Sequence, residues 1–155
     1  MDEYNLFNLI KSQKYDELIN VIEKNKNINL NIKDESNIYL IQYAILYNNK
    51  NIVEYLLKKN ININILDENG KILLFTPIKY NYLDIIKIIL LYNEKNIGIS
   101  ILDIVDKYKN CVLHYAINFN NLKVVNLLLQ YNFFINICDN NENNSLHLSI
   151  KKKKL

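Results

Sequence analysis

Glycine occurs twice in this 155-residue sequence, proline once, cysteine twice, and tryptophan and arginine not at all. Two glycines exclude a Gly-rich loop of the kind that cradles phosphate, which needs several positions where backbone meets ligand without a Cβ. Two cysteines make no disulfide framework, so free thiols in a reducing compartment are expected. Long hydrophobic runs are missing too. The longest, residues 85–91, is interrupted by Lys87 and is far too short to span a bilayer, and no apolar segment of signal-peptide type opens the chain. A soluble, cytoplasmic protein without membrane contact is the expectation. The net charge is only +3, and four lysines sit together at 151–154, which leaves no basic face along the body of the chain for nucleic acid.

Asn, Ile, Lys and Tyr crowd every segment. Their codons are A/T-rich, which implies an A/T-rich genome such as that of a large DNA virus, an intracellular bacterium or a protozoan parasite. Half of the residues are hydrophobic and 23% are charged, the balance of an ordered chain, and the length suits one domain.

The text repeats with a period of 33: Asp34 recurs as Asp67, and Asp106 as Asp139. Residues 27–34 match 60–67 and, more loosely, 132–139, and these are the joints between units. Between joints lie two apolar-periodic segments. The second carries Ile52, Val53, Leu56 and Leu57 in one unit, then Ile85, Ile86, Ile89 and Leu90, then Val124, Val125, Leu128 and Leu129, each set forming one face of a helix. The first is shorter and spans 39–47, 72–80 and 111–119. Asn follows each helix, at Asn48, Asn60, Asn81, Asn93, Asn120 and Asn132, where a chain leaving a helix takes a positive φ that Asn tolerates best after Gly.

These residues resemble the ankyrin repeat, whose pattern runs Asp-x-x-Gly-x-Thr-Pro-Leu-His-x-Ala, followed by Val-Val-x-x-Leu-Leu and a turn. Leu113, His114 and Ala116 fill the Leu, His and Ala columns in one unit, and Leu146, His147 and Ser149 fill them in the next. Ile41, Gln42 and Ala44 do so after Asp34, while the unit from Asp67 keeps Gly70 and has Leu74 and Phe75. The resemblance covers nearly the whole chain. It implies an all-α fold, an ankyrin repeat solenoid of stacked helix-turn-helix units joined by hairpin-like loops. One ankyrin repeat domain is expected: an N-terminal capping unit at 1–33 with helices at 4–11 and 16–24, central repeats at 34–66, 67–105 and 106–138, and a truncated repeat at 139–155. The last lacks room for its second helix, which leaves the fourth unit incompletely covered.

Several positions depart from the pattern. The capping Thr column holds Tyr39, Ile72 and Cys111, and only Asn144 keeps a capping side chain; each lost cap costs about 1 kcal/mol. Pro77 falls in the Ala column inside a helix, where proline costs about 3 kcal/mol. Thr76 and Pro77 together form a helix-start signal, so the helix is expected to break or restart at Thr76. Six residues are inserted before Asp106, within a segment where Ile97, Ile99 and Ile101 alternate. They form either a longer loop folded back on the repeat, the simpler reading, or an extended finger.

Cys111, His114, Cys138 and His147 could be written as a zinc ligand set. However, His114 and His147 share one column a repeat apart, about 10 Å for packed helices, whereas zinc ligands lie within about 2.3 Å of the metal. No metal or cofactor is expected, and the resemblance implies that this His hydrogen-bonds the joint between units. Cys111 with His114 is the one nucleophile–base candidate, and its column places the thiol at a buried helix start, where a small apolar role is expected. With the acids scattered singly, neither a catalytic site nor a small-molecule substrate is expected. The lysine run admits a nuclear address, a contact with an acidic partner or a solvated end, and its adenine-rich codons suggest a frameshifted or shortened gene.

The resemblance implies a protein partner held by the hairpin tips and the inner face of the first helices. Carried over, the tips are Glu35, Ser36 and Ile38; Glu68, Asn69 and Lys71; Lys107, Tyr108 and Asn110; and Asn140, Asn141 and Asn143. The residue before the helix-ending Asn is Tyr47, Tyr80 and Phe119, which would lay an aromatic strip on the concave face; burial of these rings between helices would remove it. The expected function is non-catalytic protein–protein interaction by a monomer. Two alternatives stay open: an ankyrin segment of an adaptor that recruits an enzymatic or ubiquitin-ligase partner, and nucleic-acid binding through the C-terminal lysines.

Overall fold

Each apolar-periodic segment folds as a short helix because its stripe of Leu, Ile and Val finds a neighbouring stripe to bury against. The computed structural model describes residues 4–95, 100–131 and 136–153. The chain forms two compact units, Met1–Asn62 and Ile63–Leu155. Regular structure among the described residues is helical, with isolated bridges joining Lys33 to Tyr39 and Leu66 to Ile72. No described helix is long and apolar enough to cross a membrane.

The first unit holds α1 (Tyr4–Lys11), α2 (Tyr15–Lys24), α3 (Leu40–Leu46) and α4 (Lys50–Lys58). Helix α1 packs on α2 and on α3, and α3 packs on α4. Leu6, Ile10, Leu18, Leu40, Ala44, Val53 and Leu56 make its core. The second unit holds α5 (Phe75–Lys79), α6 (Leu83–Lys95), α7 (Val112–Asn118), α8 (Leu122–Leu128) and α9 (Ser145–Lys153). Helix α7 is its centre, packed on α5, α8 and α9, around Leu74, Ile78, Ile89, Val112, Ala116, Val124 and Leu128. Each buried Leu, Ile or Val side chain among these contributes about 1.5–3 kcal/mol.

The Asp column builds the hairpins. In each of the four hairpins the Asp N–H donates to the carbonyl four residues on, at 2.9–3.0 Å, while its own carbonyl accepts from the residue three on. The carboxylate oxygens then gather the remaining turn N–H groups: Asp34 takes Ser36 and Ile38, Asp67 takes Lys71, Asp106 takes Tyr108 and Asn110, and Asp139 takes Asn141 and Asn143. The residue three after each Asp is left-handed, with φ of 56° at Asn37, 69° at Gly70, 61° at Lys109 and 61° at Glu142. Only one of these is the glycine that such a conformation favours.

The first helices end in a Schellman motif, in which two N–H groups past the helix return to its last carbonyls. Asn48 N–H donates to Ile45 O and Asn49 N–H to Ala44 O, and the same pair of bonds recurs at Asn81 with Tyr82 and at Asn120 with Asn121. Asn48, Asn60, Asn81 and Asn120 have positive φ as the sequence indicates. Asn93 does not end a helix: it lies inside α6, its Oδ1 accepts from Ile101 N–H at 3.0 Å and its amide reaches Ser100 Oγ. Asn132 is outside the described residues. The insertion is thus spent partly on a longer α6 and partly on a return in which Ile101 and Leu102 are buried, as in a loop folded back. Ile97 and Ile99 are outside the described residues.

The lost Thr caps are half replaced. Tyr39 and Cys111 supply no capping side chain, but the residue three on reaches back: Tyr39 N–H donates to Gln42 Oε1 at 2.8 Å and Cys111 N–H to His114 Nδ1 at 3.1 Å. At Asn144 both halves of the box are present, since His147 N–H donates to Asn144 Oδ1 and Asn144 N–H to His147 Nδ1. The remaining unit has neither half, because Ile72 cannot cap and Phe75 cannot accept. Its helix consequently begins at Phe75 rather than in the register of α3 and α7, after a turn in which Phe75 N–H donates to Ile72 O. The expected break or restart at Thr76 is therefore not found: α5 runs through Thr76 and Pro77 from an N-cap at Leu74, and it is the helix start as a whole that is delayed. Pro77 sits in the first turn, where its missing N–H has no ladder bond to lose.

Candidate protein-binding surface

The hairpin turns and helix ends that hold the backbone also decide which predicted contact residues stay free. Glu35, Ser36, Glu68, Asn69, Lys107, Tyr108, Asn140 and Asn141 are exposed, while Ile38, Lys71 and Asn110 are half-buried. Asn110 is partly consumed by its own hairpin, donating through Nδ2 to Asp106 Oδ2 at 3.0 Å. Asn143 is buried and structural. Its carbonyl meets His114 Nε2 at 3.1 Å, its amide faces Asp139, and its Oδ1 accepts from Lys151 Nζ at 2.6 Å. Its place on a tip is legible from spacing, but its burial by the neighbouring repeat is not.

Successive tips of the second unit are tied together: Asn140 N–H donates to Tyr108 O at 3.0 Å, and Lys107 lies against Gly70. Beneath them, Tyr43 and Tyr115 each donate a hydroxyl hydrogen bond to the Asp of their own repeat, Asp34 and Asp106, at 2.5 Å. Burial and the Asp106 carboxylate hold the Tyr115 hydroxyl protonated far above its usual range. Spacing alone could have flagged this pair, since each Tyr follows its Asp by nine positions.

The aromatic residues that end the first helices are not enclosed: Tyr47 is 39% exposed, Tyr80 49% and Phe119 37%. Tyr47 belongs to the first unit. In the second, Tyr80 stacks on Tyr82 at 5.7 Å, and Phe119 meets Phe75 edge-on at 5.6 Å. A large exposed ring beside a rigid helix end is suited to contact with a protein surface.

The chemical candidates are placed otherwise. Cys111 and His114 touch, Sγ to Nδ1 at 3.0 Å, but both are wholly buried, so no substrate reaches the thiol. A backbone N–H can only donate and a carbonyl can only accept, so the ring is held as the neutral Nε2–H tautomer, bridging Cys111 N–H to Asn143 O of the next repeat. Cys138 is exposed, and among the described residues no three His, Cys, Asp or Glu side chains converge on a metal position. In the C-terminal lysine run, Lys151 binds Asn143 and Lys152 donates to the Asn118 carbonyl, which anchors α9 to α7. An apolar groove of about 620 Å³ remains open beside α7, α8 and α9, lined by Leu113, Ile117, Val125, Leu129 and Leu146.

A family model of ankyrin repeats in three copies matches residues 6–103, and the single ankyrin repeat model matches residues 108–142. The chain belongs to the ankyrin repeat family. An ankyrin repeat protein of Acanthamoeba polyphaga mimivirus is 35% identical to it over 152 residues, which are 97% of this chain and 20% of that protein. The chain thus spans about a fifth of the relative's length. Ankyrin repeats are generally protein–protein interaction modules; here His114 joins its repeat to the next, while Gln42 and the Asp column hold helix starts and hairpins within their own repeats.

Proposed function

We propose that this ankyrin repeat chain binds another protein, without catalysis, through its hairpin tips and the aromatic ends of its first helices. The observation that carries this reading is the exposure of Tyr47, Tyr80 and Phe119, whereas Phe7, Tyr43 and Tyr115 of the first helices are buried. Two free cysteines support action in a reducing compartment such as the cytoplasm. The test is quantitative affinity capture from a eukaryotic lysate with the intact chain and with a Tyr47→Ala, Tyr80→Ala, Phe119→Ala variant whose helicity is unchanged. Loss of specific partners is expected; retention of every partner removes the aromatic ends from the binding face. A second reading, a segment presenting its bound protein to a recruited enzymatic or ubiquitin-ligase partner, is supported by the much greater length of the mimiviral relative.

A further inference from the structure

Lysines lie over aromatic rings in both units, and only some of their charges are balanced. In the first unit Lys11 over Tyr43 and Lys59 over Tyr55 each also reach a carboxylate, Asp34 at 3.7 Å and Glu23 at 2.9 Å, while Lys33 over Tyr39 does not. In the second, Lys71 Nζ lies 4.0 Å from the Phe75 ring centre and Lys107 Nζ 5.2 Å from that of Tyr108. Neither of these, nor Lys109 beside them, forms an ion pair with any carboxylate among the described residues. The acids of these tips do not compensate. Asp67 and Asp106 turn inward to their own hairpin N–H groups, and Asp139 does the same, which leaves Glu68 and Glu142 as the exposed acids nearby.

The three lysines belong to one continuous patch. A Cβ built on Gly70 would lie 3.2 Å from Lys107 Cβ, so the Lys107 stem crosses Gly70 beside Lys71. Lys71 covers Phe75, and Phe75 in turn meets Phe119 at the end of α7. Tyr108, flanked by Lys107 and Lys109, is 54% exposed. Lys109 follows Tyr108 on the same tip and is exposed.

The geometry points to an acidic peptide segment as the ligand of this patch, its carboxylates on Lys71, Lys107 and Lys109 and an apolar side chain between Tyr108 and Phe119. This rests on the reading of the tips as a protein-binding face and names the chemistry of the partner. Single-stranded nucleic acid fits less well. Base stacking needs open ring faces, whereas the Phe75 face is taken by Lys71 and its surroundings by Tyr115 and Phe119.

Fluorescence anisotropy with a labelled Glu-Glu-Phe-Glu-Glu-Leu peptide, its Gln-for-Glu counterpart and an oligo-dT strand tests the assignment on the full chain. The acidic peptide is expected to bind, more weakly as salt is raised, with little binding of the Gln peptide. Lys71→Gln and Lys107→Gln should each weaken it about three-fold, and the triple variant with Lys109→Gln about 20-fold. Lys87→Gln on α6 should leave it unchanged. Lys109→Gly should lose affinity while the melting temperature rises, a combination that misfolding cannot produce. Equal binding of the two peptides, full affinity in the triple lysine variant, or tighter binding of oligo-dT than of the acidic peptide overturns the proposal. Should the lysine variant keep the protein partners that the Tyr47, Tyr80 and Phe119 variant loses, protein binding stands and the acidic ligand falls.

Discussion

The four left-handed hairpin positions make a graded experiment, because the same backbone conformation is occupied by Asn37, Gly70, Lys109 and Glu142. For an ordinary L-residue the left-handed region costs about 1–2 kcal/mol, and replacing it by glycine restores about 0.4–1 kcal/mol of unfolded-state freedom that folding must remove. Lys109→Gly and Glu142→Gly should therefore each stabilise by about 0.5–1 kcal/mol, and Asn37→Gly by less, since Asn tolerates the region. Gly70→Ala runs the other way. It takes on the same cost and brings a Cβ within 3.2 Å of the Lys107 side chain, which must give way. In urea unfolding the two glycine variants together should raise the midpoint at constant slope, with a melting temperature higher by about 2–4 °C per kcal/mol. Because repeat proteins can unfold in parts, amide exchange in the hairpins provides the local readout. A Lys109→Gly variant less stable than the parent, or a neutral Gly70→Ala, would refute the argument that conformation rather than side-chain contact sets these positions.

Other substitutions test the packing and the caps. His114→Ala leaves the buried Cys111 N–H without a partner, removes one of the two hydrogen bonds at Asn143 O and opens a cavity, and should cost about 3 kcal/mol, whereas His114→Gln, which can reach back as Gln42 does, should recover part of it in the same denaturation assay. Leu90 and Leu129 occupy one column of the second helices, yet Leu90 is 1% exposed and Leu129 55%; Leu90→Ala should cost about 3 kcal/mol and Leu129→Ala under about 0.5 kcal/mol. Pro77→Ala should change stability by less than about 1 kcal/mol, because the proline occupies the first turn of α5; a gain near 3 kcal/mol would show that it breaks a ladder after all. Burial pushes the Asp34 and Asp139 carboxyls up, but hydrogen bonds from turn N–H groups, with Tyr43 on Asp34 and the Asn143 amide on Asp139, outweigh it and hold both below the usual range. Their contribution is therefore complete above the ordinary carboxylate value near pH 4 and is lost as pH falls through the lower folded values. Asp34→Asn should flatten that part of a urea-midpoint profile.

Residues whose role follows from spacing along one helix or one turn were legible in the sequence. The Asp column, the second-helix stripes and the helix-ending Asn48, Asn81 and Asn120 are local, and period alone recovers them. Asn93 misled because the insertion lets α6 run on to Lys95, so an Asn in the expected register has a helix around it. Asn143 misled for a different reason: its tip position is local, but its burial comes from His114, 29 residues away. The left-handed turn column was hidden because Lys109 and Glu142 carry no sign of positive φ. The N-caps Asn49 and Asn121, which accept from Ile52 and Val124 N–H, are equally local, but each stands directly after a more conspicuous helix-ending Asn.

The unit from Asp67 shows how departures from a repeat pattern act together. Ile72 removes the cap, and Phe75 removes the back-bonding acceptor that Gln42 and His114 supply in the same column, so a helix beginning in the register of α3 would leave its first N–H groups bare. The chain starts α5 two residues later, and the delay turns Pro77 from a helix breaker into a first-turn residue. The same exchange frees the Phe75 ring from any capping duty. It then packs edge-on against Tyr115 and Phe119 and carries Lys71 on its open face. The uncapped start of α5 is thus also what supplies the aromatic floor of the lysine patch, and a back-bonding residue in place of Phe75 would take that floor away.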